Sequence, residues 1–175
     1  IAGPVSVGVV VMPESLHNWS LFDGLKDSKK LTERARNVWY DKINNTPEIY
    51  YGHAFSSNLR IDEVGIMAAT QEALHSALSD ALQRSGATDI TSVAFLDWGL
   101  SLPQNYTQLI SKKGDELYPA IALASVIAKV TRDAFMLAES SQFPLHGFDT
   151  HKGYGTAHHY RALEKYGITQ LHRKT

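Results

Sequence analysis

Apolar residues cluster along the chain at spacings that alternate between those of strands and those of helices. Residues 5–12 are rich in valine, which indicates a buried strand. Residues 31–44 carry apolar side chains on one helical face, and Thr32 is placed to cap the first turn of that helix. Residues 49–56 are rich in aromatic side chains and predict a second strand.

The middle of the chain also alternates between helical and strand patterns. Apolar residues recur at helical spacing over residues 61–85, which predicts one long helix that ends at Gly86. Residues 92–96 form a short apolar strand and place Asp97 at its carboxyl end, a position that commonly faces a crevice. We expect a loop that contains Asp115 to follow.

The last third of the chain is predicted to be mainly helical. A long helix is expected from residue 119 to about residue 138, because Pro119 suits a first helical turn. Residues 144–155 are rich in glycine and histidine and predict a loop, and residues 156–166 predict a final helix. Since the sequence shows no repeat or linker, we expect a single mixed α/β domain.

Composition narrows the class of protein. Hydrophobic residues make up 43% and charged residues 20% of the 175 residues, as in ordinary folded domains. The chain has no cysteine, which excludes disulfides and thiolate metal sites and favours a cytoplasmic location. Its apolar runs are too short to span a bilayer. Because the net charge is only −1, phosphate binding would depend on local basic groups.

Asp97 is the first candidate for chemistry. It follows a hydrophobic strand and is itself followed by Trp98 and Gly99, and a glycine at that point allows close approach by another molecule. This placement suits a metal ligand. The alternative is that Asp97 only caps the following turn, as Asp often does before a glycine-containing loop.

The helix that begins at Pro119 provides the second candidate. Ser125, Lys129 and Asp133 are spaced four residues apart and form one polar stripe, while the opposite side of the helix is small and apolar. The stripe indicates either a functional site or an ordinary surface ion pair between Lys129 and Asp133.

Basic and aromatic residues near the two ends suggest contacts to a phosphate-bearing partner. Lys152 and Tyr154 lie in a glycine-rich turn before a helix, where an exposed ring can stack on a sugar or base. The alternative is a surface loop whose tyrosine packs on the domain. Lys29 and Lys30 precede the first helix and are either phosphate contacts or solvated charges. The histidines match no compact zinc signature.

In order and spacing, several short segments resemble the ribonuclease HII family over nearly the whole chain. The resemblance implies an RNase H-like fold, in which helices flank a mixed central β-sheet and a C-terminal helical region is appended. The segments that carry it are Ala2-Gly3-Pro4-Val5, Asp27-Ser28-Lys29-Lys30-Leu31, Leu96-Asp97, Lys113-Gly114-Asp115, Ala122-Leu123-Ala124-Ser125-Val126-Ile127-Ala128-Lys129-Val130-Thr131-Arg132-Asp133 and His151-Lys152-Gly153-Tyr154-Gly155-Thr156.

The same resemblance implies roles for individual residues. Asp97 and Asp133 would be catalytic carboxylates that bind Mg²⁺ or Mn²⁺ in a two-metal site. Tyr154 would stack against the deoxyribose beside the scissile ribonucleotide. Nucleic-acid contacts or support of the site would come from Lys29, Lys30, Ser125, Lys129 and Lys152.

The sequence departs from the family pattern at its beginning. The family starts with a strand that carries an Asp-Glu pair and a Gly-Arg-Gly turn, and Ile1 falls just after that turn. We therefore expect this central strand, with two of four acidic ligands, upstream of residue 1 in the natural protein. Residues 1 to about 138 would form the rest of the core, and residues 139–175 would contact the substrate. Trp98 stands where many relatives have glycine.

By resemblance, the function is that of an endoribonuclease. It would hydrolyse the RNA strand of RNA/DNA hybrids and cut 5′ to ribonucleotides embedded in duplex DNA, in ribonucleotide repair and primer removal. Two other classes remain open: a non-catalytic hybrid-binding module, because two acidic ligands are absent from residues 1–175, and an unrelated metal hydrolase that uses the histidines. We expect a monomer that does not bind membranes.

Overall fold

A computed structural model describes residues 1–25, 30–87 and 92–175 of the chain. It confirms the predicted mixed α/β class. No helix in these ranges is long and apolar enough to cross a membrane. The helices and strands are β1 (Val5–Val11), α1 (Glu33–Asn44), β2 (Tyr50–Ser56), α2 (Asn58–Val64), α3 (Ile66–Ser85), β3 (Val93–Asp97), β4 (Thr107–Ser111), α4 (Gly114–Leu117), α5 (Pro119–Ser140), α6 (Phe148–His151) and α7 (Ala157–Tyr166).

The strands pair in both senses. β1 and β2 are antiparallel, with Val5 opposite Ser56, and β3 and β4 are parallel, with Asp97 opposite Ser111. In the described part of the chain these pairs form two separate two-stranded sheets, whereas the sequence predicted one central sheet.

A groove of about 640 Å³ separates the two sheets. Residues 6–11 of β1 and 93–97 of β3 line it in unbroken succession, so its walls are strand edges rather than sheet faces. Each of these edges lacks a strand partner among the described residues. The predicted sheet is therefore divided because β1 and β3 do not pair with each other.

Helices α3 and α5 cover opposite faces of the β1–β2 pair. Gly8 and Gly52 belong to neighbouring cross-strand pairs and so point to opposite faces. A Cβ at Gly8 would overlap the carbonyl oxygen of Ala124 in α5, and one at Gly52 would overlap that of Ala77 in α3. The two glycines let both helix backbones approach the strands closely.

Replacing Gly52 by alanine is expected to lower the free energy of unfolding by about 1–3 kcal/mol, because the new methyl group would force α3 away from β2. Urea unfolding would measure this change. Gly155→Ala is the control, since its Cβ would meet only side-chain atoms of Tyr160, none closer than 3.3 Å. Equal destabilisation by the two substitutions would contradict the close-approach argument.

A C-terminal core joins the two ends of the described chain. Ala2, Met136, Phe148 and Leu171 are buried together. Ala2 also forms an isolated antiparallel bridge with His172. The first residues therefore pack against the region that carries Tyr154.

Three local features differ from the sequence prediction. The predicted helix 61–85 is divided at Gly65, whose φ of 82° ends α2 before α3 begins. The predicted loop after Asp97 contains β4 and α4, and the predicted loop 144–155 contains the short helix α6. These elements are only four or five residues long, so their periodicity is too brief to recognise in the sequence.

Candidate functional site

Asp97 lies where the sequence predicted it, at the carboxyl end of β3. Its Oδ1 accepts hydrogen bonds from the backbone N–H of Trp98 at 3.0 Å and of Gly114 at 3.4 Å. The side chain is half-buried and lines the groove between the sheets. Within the described ranges, no hydrogen bond reaches Oδ2. Two backbone amides therefore orient the carboxylate and leave one oxygen for a ligand.

Asp115 is the acidic residue that the structure brings towards Asp97. Because β3 and β4 are parallel and Asp97 is opposite Ser111, the chain that follows β4 emerges at the same edge as Asp97. Gly114 contacts Asp97, and the buried Asp115 comes directly after it in the first turn of α4. The Lys113-Gly114-Asp115 segment is part of the family resemblance, but the sequence predicted no chemical role for Asp115.

These two carboxylates suit a hard divalent cation. Mg²⁺ is commonly held by one or two carboxylates and completes its coordination with water and substrate phosphates. Among the described residues, no group of three or more histidines, cysteines or acidic residues converges on one point. Asp97 and Asp115 would therefore supply part of a ligand set, with oxygen atoms of the appropriate kind.

Asp133 has a different environment. Its Oδ1 accepts a hydrogen bond from the Lys129 ammonium at 2.8 Å, and its Oδ2 pairs with Arg36 at 3.5 Å. Ile121, which packs against Gly114 beside Asp97, lies twelve residues before Asp133 on α5, or about 18 Å along the helix axis. The structure thus places Asp133 in an ion-pair network and not beside Asp97.

The ring of Tyr154 lies over two basic side chains of α5. The Lys129 ammonium is 4.4 Å from the centre of the Tyr154 ring and 3.3 Å from its hydroxyl, and the Arg132 guanidinium is 4.5 Å from the ring centre. The ring is 45% exposed. An aromatic surface flanked by two cations can contact both a sugar or base and its phosphate.

The other predicted contact residues are dispersed. Lys30 pairs with Glu116, next to Asp115, at 3.2 Å. Ser125 lines the groove between the sheets, and Lys152 lines a small cavity that also contains Asp133. Lys29 lies outside the described residues.

Buried histidines surround Phe148 in the C-terminal region. Most of their ring nitrogens are hydrogen-bonded to the backbone or to one another, and the Nε2 atoms of His159 and His172 are 2.9 Å apart. Nδ1 of His146 has no partner among the described residues. Burial, followed by the charges of neighbouring histidines, lowers the pKa of His159 to about 4. Burial also lowers the pKa of His172. These rings favour the neutral state and act in packing and hydrogen bonding.

The protein is expected to lose stability as the pH falls from about 6.5 towards 4. Since the pKa of His159 is lower in the folded state than the ordinary 6.5, the unfolded chain binds more protons in this window. Urea unfolding at several pH values would measure the slope. The other titratable side chains that act on this ring are His151 and His172, and His146 in turn acts on His172.

Two substitutions would test the origin of this slope. His159→Gln should flatten it, because the substitution removes the titrating ring. His75→Gln, on an exposed part of α3, should leave it unchanged. An unchanged slope in His159→Gln would contradict the assignment.

Comparisons with known proteins agree with this arrangement. The sequence model of the family described as Ribonuclease HII matches residues 1–175. A Ribonuclease HII of Chlamydia trachomatis serovar A is 40% identical over the whole chain, which covers 76% of that relative. One of Acetivibrio thermocellus is 38% identical over 99% of the chain and 63% of the relative.

Solved structures show the same fold. The chain is similar to a structure of the PCNA:RNase HII complex from Archaeoglobus fulgidus, with a TM-score of 0.74 and 24% identity over 99% of this chain and 86% of that one. It is also similar to ribonuclease H2 from Pyrococcus horikoshii, with a TM-score of 0.70 and 23% identity over 97% and 84% of the two chains. Because the family match covers every residue, the chain belongs to the ribonuclease HII family of endonucleases.

Proposed function

We propose that the protein hydrolyses the RNA strand of RNA/DNA hybrids with Mg²⁺ or Mn²⁺ and cuts 5′ to ribonucleotides embedded in duplex DNA. The observation that carries this proposal is the meeting of Asp97 with the Gly114-Asp115 turn at one edge of the β3–β4 pair. Family membership supports the substrate class. Ribonucleotide repair and primer removal would be its uses in the cell.

Asp97 and Asp115 would hold the cations in this proposal. Two divalent ions held there would supply an activated water molecule and stabilise the leaving oxygen of the phosphodiester. The Trp98 and Gly114 amides fix the direction of the Asp97 carboxylate, so that Oδ2 is presented to a ligand. Asp133 remains a second candidate for metal binding, although its two ion pairs favour a role in holding Lys129 in place.

The nucleic acid would lie across Tyr154 and the cations beside it. Lys129 would neutralise phosphate charge. The Tyr154 ring, which packs on the buried Arg132 guanidinium, would stack against a sugar or base. Lys30 pairs with Glu116, the residue after Asp115, and would place a positive charge near that carboxylate. Further contacts are proposed for Lys29, Ser125 and Lys152.

The groove between β1 and β3 supports the proposal of one RNase H-like domain with an additional central strand. Two strand edges that face each other can both pair with an inserted strand, which would satisfy their backbone groups. The same proposal places the protein in the cytoplasm as a monomer.

Cleavage of a labelled DNA duplex with one embedded ribonucleotide would test the proposal. We expect a single cut on the 5′ side of the ribonucleotide in Mg²⁺ or Mn²⁺, no cut in the presence of a chelator and no cut in an all-DNA duplex. Binding of the duplex without cleavage under every metal condition would instead favour the non-catalytic hybrid-binding module.

Tyr154→Ala is expected to weaken binding of a hybrid duplex by about 1–3 kcal/mol, or roughly 5- to 150-fold, because a stacking surface is lost. Fluorescence anisotropy of a labelled hybrid would measure the dissociation constant. Tyr50→Ala is the matched control, since that ring is also exposed but lies on β2, outside residues 139–175. If the two variants lost the same affinity, the role proposed for Tyr154 would be wrong.

A further inference from the structure

An ordered chain of hydrogen bonds runs through two buried histidines to the backbone of Tyr154. The Thr169 N–H donates to Nδ1 of His172 at 2.7 Å, so this nitrogen accepts and the proton of the neutral ring lies on Nε2. His172 Nε2 can therefore donate to Nε2 of His159 at 2.9 Å. His159 then carries its proton on Nδ1 and donates to the Tyr154 carbonyl at 2.9 Å.

Gly153, the residue before Tyr154, is also held by a buried histidine. The Gly153 N–H donates to Nδ1 of His151 at 3.1 Å, and His151 Nε2 contacts the His146 carbonyl at 2.6 Å. The Gly153 carbonyl accepts a hydrogen bond from the Ala2 N–H at 3.1 Å. The backbone on both sides of the Tyr154 α-carbon is thus fixed by buried groups, although the ring itself is exposed.

We infer that His172 and His159 are positioning residues for Tyr154, which hold its backbone so that the ring stays over Lys129 and Arg132. This inference rests on the proposed contact between Tyr154 and nucleic acid. The Lys129 ammonium is paired with Asp133, and the buried Arg132 guanidinium is held by the Ala2 and Pro4 carbonyls. Both cations contact the ring of Tyr154 rather than its backbone. The histidine chain has a single consistent set of proton positions and acts on the backbone directly.

The geometry also explains why both rings must be neutral. A second proton on His159 would make two N–H groups face each other across the 2.9 Å between the Nε2 atoms. A second proton on His172 would lie on Nδ1 and face the Thr169 N–H across 2.7 Å. The ring centres of His151 and His159 are 4.1 Å apart, so a proton gained by one ring would oppose a second proton on the other. The link from Thr169 to Tyr154 is therefore intact only with uncharged rings.

A matched pair of substitutions at His172 separates positioning from packing. His172→Gln places an amide N–H near the position of Nε2 and can still reach His159. His172→Asn has a shorter side chain that can accept from Thr169 but cannot reach His159. We expect His172→Asn to weaken hybrid binding several-fold in anisotropy measurements, and His172→Gln to restore most of the affinity.

A double-mutant cycle with Tyr154→Ala gives the decisive result. If His172 acts through Tyr154, His172→Asn will change the affinity several-fold in the wild-type background and leave it unchanged in the Tyr154→Ala background. The same several-fold loss in both backgrounds would overturn the inference and indicate a purely structural role. His75→Gln, on the exposed surface of α3, should change neither affinity.

Nitrogen NMR of labelled histidine tests the same chain without substrate. We expect His159 to be protonated at Nδ1 and His172 at Nε2 near neutral pH, and the opposite tautomers would overturn the inference. If the wild-type protein bound no hybrid, the proposed function would fail and the positioning role with it. Intact binding without coupling to Tyr154 would overturn the positioning role alone.

Discussion

Asp97→Asn is expected to lower the rate of divalent-metal-dependent hybrid cleavage by roughly 10²- to 10³-fold, equivalent to about 3–4 kcal/mol of transition-state stabilisation. The substitution keeps the shape of the side chain and its bonds to the Trp98 and Gly114 amides on one oxygen. It removes the negative charge that would hold a cation. Single-turnover cleavage of a labelled hybrid would measure the change.

Two further aspartates distinguish the possible metal ligands. Asp115→Asn should lower the rate about as much as Asp97→Asn if the two carboxylates share the site. Asp133→Asn should lower it less, because Asp133 is bound to Lys129 and Arg36. Glu116→Gln is the control, since this exposed carboxylate is next to Asp115 and pairs with Lys30.

The relative rates decide between the two assignments. A large loss in Asp133→Asn together with a small loss in Asp115→Asn would show that Asp133 is the metal ligand. Full activity in Asp97→Asn would contradict a metal site at this edge of the sheet. Circular dichroism of each variant would establish that the fold is retained.

Phe148→Ala is expected to lower the free energy of unfolding by about 3–5 kcal/mol, because a large and fully buried ring would be replaced by a cavity. Phe148 packs with Ala2, Met136 and Leu171, and the ring centre of His159 is 5.5 Å from its own. Its loss would therefore weaken the attachment of the first residues to the C-terminal region. Urea unfolding monitored by circular dichroism would measure the difference.

Leu145→Ala provides the matched control for this substitution. Leu145 lies three residues earlier in the same region, but its side chain is 59% exposed. It should change the stability by less than about 0.5 kcal/mol, as is usual for surface positions. A similar loss in both variants would show that the buried cluster around Phe148 is not the source of the stability.

The ends of several helices could be predicted because they depend on adjacent residues. The Thr32 hydroxyl accepts a hydrogen bond from the Ala35 N–H, as its sequence position indicated, and Pro119 is the first residue of α5. Gly86 ends α3 with a φ of 65°. Gly65 was missed as a helix end because apolar residues occur at helical spacing on both sides of it.

The candidate site could be predicted only in part. Asp97 was recognised because a hydrophobic strand directly precedes it. Its proximity to Gly114 and Asp115 depends on the parallel pairing of β3 with β4, which local periodicity does not reveal. The polar stripe on α5 correctly indicated that Lys129 and Asp133 share a face. The structure shows an ion pair between them, which was one of the two interpretations of the stripe.

The contact between the first and last described residues has a consequence for the order of folding. Arg173 donates through Nε to the Gly3 carbonyl across 170 positions of the sequence. Closing a loop of that length costs about 4.6 kcal/mol of chain entropy beyond a constant, so this contact should form after the strands and helices between its ends have assembled. During synthesis, residues 1–4 can bind these partners only after residue 173 has been added to the chain. The C-terminal region that carries Tyr154 should therefore be among the last parts of the protein to become ordered.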